Sequence, residues 1–146
     1  MLVCYCVRMD SVIINYWAVL VAALAQMALG SMWYGPLFGK EWMRLSGIGQ
    51  SQIDGSKKDG MSKLYLAAFI GSFVMSYVLA HFVQYFDATT VGRALQLAFW
   101  TWLGFVATIM LGDILWKGIP RKLFVIQSGY QLVSIMISAV ILALWQ

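Results

Sequence analysis

The sequence predicts an all-α integral membrane protein: a four-helix up-down-up-down bundle with a short interfacial amphipathic helix after the first span. Three observations carry that prediction. Four largely apolar stretches, residues 12–33, 64–86, 94–116 and 123–145, each hold about the 20 residues that carry a helix across a ~30 Å hydrocarbon core. The composition, 62% hydrophobic and 11% charged, is not that of a water-soluble domain. The stretches are apolar on nearly all sides, whereas membrane-barrel strands run to about 10 residues and alternate in polarity. Residues 12–146 therefore read as one membrane domain, with no room for a separate soluble one.

Residues 1–11 read as a tail. Met9, followed by Asp10 and Ser11 and then the first apolar run, is a natural start for a membrane protein, so the tail is expected to fall outside the folded unit. Cys4 and Cys6 lie in it. A Cys-x-Cys pair is poorly placed for a disulfide and supplies half a zinc site, so the two thiols are read as incidental. The first span is too long, and its leading segment too weakly charged, for a cleaved secretory signal. Asn15, Ala22 and Gln26 share one of its faces, with Gly30 at the margin, where a small residue admits a neighbouring backbone.

Pro36 is expected to end the first span. A short amphipathic helix over residues 37–45 then lies in the headgroup layer. Trp33, Tyr34, Gly35, Pro36, Phe38 and Trp42 form its interfacial anchor, because an indole or phenol ring is part apolar and part wet. Residues 46–60 are rich in Gly, Ser and charge and read as a linker. Their glycines do not have the spacing of a phosphate-binding loop.

The second span shows two faces, Ala68, Ser72 and Ser76 on one and Tyr77, His81 and Gln84 on the other, as if it packs on both sides. The third offers Gly104, Thr108 and Gly112, a small-xxx-small row suited to helix packing. The fourth carries Gln127, Gln131, Ser134 and Ser138 at i, i+4, i+7 and i+11, one stripe on a helix, which must face protein or water rather than acyl chains. With the spans alternating in direction, Gln26, Asp113, Gln127 and Gln131 gather in one half of the bilayer and Asn15, His81, Gln84 and Ser138 in the other. This polar layer reads either as interhelical glue, at about 0.6 kcal/mol per hydrogen bond, or as a solute pathway.

Asp113 is the one carboxylate inside a span, and intramembrane acids tend to be functional. Lys117 at i+4 offers the alternative of a plain ion pair. His81 has no second ligand near it in the sequence and reads as a packing residue.

Eight of the ten Lys and Arg residues fall in residues 34–63 and 117–122. Basic loops stay cytoplasmic, so these loops are expected inside and both termini outside. The net charge of +4 then reflects topology and attraction to lipid headgroups, with no solvated basic face left for nucleic acid. Short turns after the second and third spans predict that sequential helices pack as antiparallel neighbours. A weak echo between residues 29–38 and 111–124 raises the idea of two parallel hairpin repeats.

The stretches LGSMWYGPLFGKEWMRLSG (residues 29–47), AHFVQYFDATT (80–90) and the long run from Ala94 through LGDILWKGIPRKLF to Trp145 resemble the DUF1761 family, small bacterial membrane proteins grouped under a domain of unknown function. The resemblance runs from about Asn15 onward. It implies four spans and residence in the bacterial inner membrane, points to Gly35 and Asp113 as positions to watch, and brings no activity or cofactor with it.

No His-Glu-x-x-His, Cys/His ligand set or Gly-x-Ser-x-Gly elbow is present, so no catalytic constellation, cofactor or metal site is assigned. The polar stripe and the two-faced second span favour a small-solute or ion transport-like protein. Four helices enclose no wide path, so it would act as a homo-oligomer. The alternative is an accessory or scaffold subunit packed against another membrane protein, and a membrane enzyme ranks third.

Overall fold

The computed structural model describes residues 13–47 and 60–145. The tail 1–11, with Met9 and the two cysteines, lies outside them, as does the linker 46–60 apart from Ser46, Gly47 and Gly60. The described residues are helical, with no strand among them. In order they are α1 (Tyr16–Met32), α2 (Gly39–Ser46), α3 (Met61–Tyr85), α4 (Val91–Trp102), α5 (Thr108–Lys117) and α6 (Arg121–Leu144). Two π turns, Trp33–Leu37 and Leu103–Ala107, extend α1 and join α4 to α5. Four helices are thus long and apolar enough to cross a membrane: Tyr16–Leu37, Ser62–Tyr85, Val91–Lys117 and Arg121–Leu144.

α1 starts at Tyr16 because Asn15 caps it, its Oδ1 accepting from the backbone N–H groups of Trp17 and Ala18. The far end departs from the expectation that Pro36 stops the helix. Pro36 stays inside a π turn, where Phe38 N–H donates to Trp33 O at 2.9 Å. The wider turn gives the pyrrolidine ring the room that an α-helical carbonyl would take. Only then does the chain turn into α2, whose tight start needs Gly39: a Cβ there would sit 2.5 Å from the Tyr34 carbonyl oxygen. α2 is strongly two-sided, with Lys40 and Arg44 exposed and Trp42 partly buried. The third span ends on Gly118 in the left-handed region (φ 64°), and Pro120 caps the start of α6.

The packing is less symmetric than four alternating neighbours. α6 is central, touching α1, α3 and α4, and α1 also packs along α3. α3 and α4 scarcely touch, although a short turn joins them, so a short connection did not make these neighbours pack. That asymmetry also removes the support for two equivalent hairpins. The echo segments differ as well, one passing through a π turn and the other ending at an αL glycine.

The tight core lies toward the Asp87–Thr90 turn. It is built of Ala18, Val19 and Ala22 from α1, Leu79, Ala80 and Val83 from α3, Ala94 and Ala98 from α4, and Ile135, Ala139 and Leu142 from α6. Alanines at those contacts let helix backbones approach closely. Toward α2 the bundle opens, and the stretch of α3 from Ser62 to Gly71 is exposed apart from Phe69.

Candidate functional site

The floor of the opening is a polar clasp. Gln26 of α1 is 3% exposed, and its Nε2 donates to Ser76 Oγ of α3 and to Ser138 Oγ of α6, each at 2.9 Å. Both serines are fully buried, so three helices are tied at one point inside the bundle. Such bonds select register, because a slip of one residue on any helix removes them. Beside the clasp Tyr130 Oη donates to Gln26 O at 3.4 Å.

From the clasp a cavity of about 490 Å³ extends toward α2 between α1, α3 and α6. Gln26, Ser31, Ser72, Tyr34, Tyr65 and Tyr130 supply its polar groups, and among the described residues no Lys, Arg, His, Asp or Glu lines it. Gly30 lets the Tyr130 hydroxyl come close: a Cβ there would lie 3.1 Å from Tyr130 Oη.

Beside the cavity an aromatic cluster and an ion pair join α2 to the bundle. Tyr34 packs on Tyr130 (5.1 Å between centroids) and edge-on to Trp42 (5.4 Å). Trp33 packs on Phe38 (4.9 Å) and on Tyr130 (6.2 Å). Glu41 of α2 reaches Lys122 of α6 at 2.5 Å and Arg44 at 2.6 Å. Hydrogen bonds from Lys122 first and Arg44 second hold the Glu41 carboxyl below the usual carboxylate range. α2 is therefore pinned to the start of α6.

Two indoles grip α6 from different helices. Trp33 Nε1 donates to Ile126 O at 3.0 Å, and Trp102 Nε1 to Ser128 O at 2.9 Å. Each tryptophan adjoins a π turn. Gly129 lies against the Trp33 ring, 3.6 Å from where its Cβ would sit. Trp33 thus spends its N–H inside the bundle rather than on headgroups. Gly35 and Pro36 are exposed, and Phe38 and Trp42 are partly buried.

The remaining sequence candidates are dispersed. Asn15 is a helix cap at the chain's entry, not part of a layer across the bundle. Gln84 Nε2 donates to Ile13 O at 3.3 Å near the same end. His81 Nδ1 lies 2.9 Å from Tyr77 O, and its ring meets Tyr77 edge-on at 4.7 Å. Tyr77 in turn stacks on Tyr16, so this second face of α3 holds the start of α1. Asp113 pairs with Lys117 at 2.7 Å, both exposed. Gln127 and Gln131 are partly buried and hydrogen-bond to no other side chain among the described residues.

Two expectations are corrected by this geometry. Gln26 does not share a layer with Asp113, Gln127 and Gln131; it is tied to Ser138, which had been assigned to the opposite half. The inward stripe of α6 is Tyr130, Ser134 and Ser138, one residue off the line of the two glutamines. The stripe's i+4 spacing was readable, but a tyrosine counts as apolar in a composition-based reading. Gly104, Thr108 and Gly112 pack against no other helix among the described residues: Gly104 and Thr108 are exposed, and nothing described lies within 4 Å of a Cβ at Gly104. The 3.6-residue count fails there because the π turn at Leu103–Ala107 shifts the phase, and Thr108 Oγ1 donates back to Gly104 O at 2.7 Å. Of the other packing candidates Ala22 is buried, while Gly30 and Ser72 line the cavity. Tyr65, Gly39, Gly129 and Tyr130 escaped the sequence reading, since each matters through a contact with a distant helix or turn.

Among the described residues no three His, Cys, Asp or Glu side chains converge as a metal site requires. A family model described as "Protein of unknown function (DUF1761)" matches residues 17–143. No curated protein and no solved structure matches the chain.

Proposed function

The chain belongs to the DUF1761 family, and from that premise we propose that it is a transport-like protein of the bacterial inner membrane that takes up a small solute in the cavity beside Gln26 and works as an oligomer. One observation carries the reading: an uncharged, tyrosine-lined cavity of about 490 Å³ that ends inside the bundle on a hydrogen-bonded glutamine. Its size falls in the range of small-molecule sites. A single chain offers no continuous path, because the alanine-rich core closes the bundle beyond Gln26. The outward face of the third span, with Gly104 and Thr108 unpacked, suits a second copy. The basic loops favour an up-down-up-down bundle with its α2 end in the cytoplasm and both termini outside, which would put the cavity in the cytoplasmic half.

The test is reconstitution of the full chain in proteoliposomes, with its oligomeric state measured in native nanodiscs. The proposal expects a dimer or larger and a flux of solute that Ala68→Trp, at the cavity wall, abolishes. A monomer that passes no ion or small solute would remove it.

The unpacked face of the third span also favours a second reading, an accessory or scaffold subunit whose partner is another membrane protein. A stoichiometric partner retained on extraction from native membrane, and lost in Gly104→Leu, is the expectation that separates this reading from the first.

A further inference from the structure

We infer that the cavity takes an uncharged, ring-bearing amphiphile that donates one hydrogen bond, from a hydroxyl or N–H, to the side-chain carbonyl oxygen of Gln26. The inference rests on the cavity being the solute site proposed above, and it names the class of solute. Gln26 is 3% exposed and lines the cavity. Both hydrogens of its amide are spent, one on Ser76 and one on Ser138. Its Oε1 then stands at the cavity floor with no donor among the described residues. That oxygen is not fully buried, so it is open to the cavity, where a ligand hydroxyl or N–H can reach it.

The walls define the rest of the molecule. Tyr34, Tyr65 and Tyr130 present aromatic surface. Offset or edge-on contact with these rings suits a flat cyclic body. Among the described residues no charged side chain lines the site. An ammonium or carboxylate would lose its hydration there and meet no opposite charge among them, which favours an uncharged occupant. The wall at Tyr65 is open to the side: Tyr65 and the neighbouring Leu64 and Leu66 are more than half exposed. A molecule already dissolved in the hydrocarbon layer reaches the cavity without crossing water, which an amphiphile can do and a polar ion cannot.

The test uses the full chain in nanodiscs, with the ¹³C-methyl signal of Met27, a cavity-lining residue, as the readout. Three probes of one size are compared at equal concentration in the lipid phase: 4-methylphenol, 4-methylanisole and benzylammonium. The phenol should shift the Met27 signal and bind about tenfold tighter than the anisole, whose hydroxyl is capped. Benzylammonium should bind more weakly than the phenol. In Gln26→Met the phenol and anisole should bind alike. Ala68→Trp, which leaves the clasp untouched, should abolish binding of all three and serves if Gln26→Met does not fold.

Equal binding of phenol and anisole to the native chain, tighter binding of benzylammonium, or no Met27 shift with any probe would each overturn the inference. Phenol binding without flux in proteoliposomes keeps the ligand class and removes transport. Flux of a charged solute without phenol binding does the reverse.

Discussion

Replacing Gln26 by leucine tests the clasp directly, because leucine is similar in bulk and lacks both the amide hydrogens and the acceptor. The substitution breaks the bonds to Ser76 Oγ and Ser138 Oγ. At about 0.6 kcal/mol for an average interhelical bond in a membrane protein, the two together give about 1.2 kcal/mol, with an upper limit of about 3.4 kcal/mol if both reach the largest measured values. The serines left behind limit the loss, since a helical serine can donate to the carbonyl one turn back. Ser138→Ala alone should cost about 0.6 kcal/mol in the native chain and close to nothing once Gln26 is leucine. Ser76→Ala should behave the same way. Reversible unfolding in bicelles, followed for the two single variants and the double variant of each pair, reads the coupling. Coupling near zero for both pairs, or a Gln26→Leu chain more stable than the native one, would refute the placement of Gln26 at the junction of three helices.

Acid should loosen α2 from α6. The Glu41 carboxyl is held below the usual range by Lys122 and Arg44, so the clamp is fully present above the ordinary glutamate value and is lost as pH falls through the lower folded value. Spin labels at Lys40 and Arg121 should move apart over that acidic window, and Glu41→Gln should show the wide distance already at neutral pH. Gly39→Ala places a methyl 2.5 Å from the Tyr34 carbonyl oxygen and should cost about 1–3 kcal/mol, read as earlier unfolding together with a red-shifted tryptophan emission as α2 shifts. Asp113→Asn removes an ion pair whose partners are both exposed and should change stability by no more than about 1 kcal/mol; a larger loss in the same bicelle assay would mean that Asp113 serves something other than Lys117.

The amphipathic helix shows how a sequence reading can find an element and misplace its boundary. Charge and aromatic spacing over residues 37–45 locate it, and it forms at Gly39–Ser46. Pro36 as a stop signal was the misleading part, since a π turn absorbs the ring and delays the break to Phe38. The same kind of turn at Leu103–Ala107 undid the packing row of the third span. Periodicity assumes an uninterrupted 3.6-residue repeat, and one widened turn invalidates every face drawn through it.

By itself, the sequence determined the number of helices long and apolar enough to cross a membrane, which follows from the run length and polarity of contiguous residues, and the family, which follows from the residues themselves. Tertiary structure alone decided which polar groups meet. Gln26, Ser76 and Ser138 lie on three different helices, and their convergence depends on how those helices cross. It also decided that α6 is the centre, and that a tyrosine-lined cavity opens beside Gln26. In a bilayer nearly every face of such a helix is apolar, so hydrophobic burial ranks the possible partners weakly. The choice passes to small residues, indole N–H groups and a few amides, whose contacts are visible only once the helices are side by side.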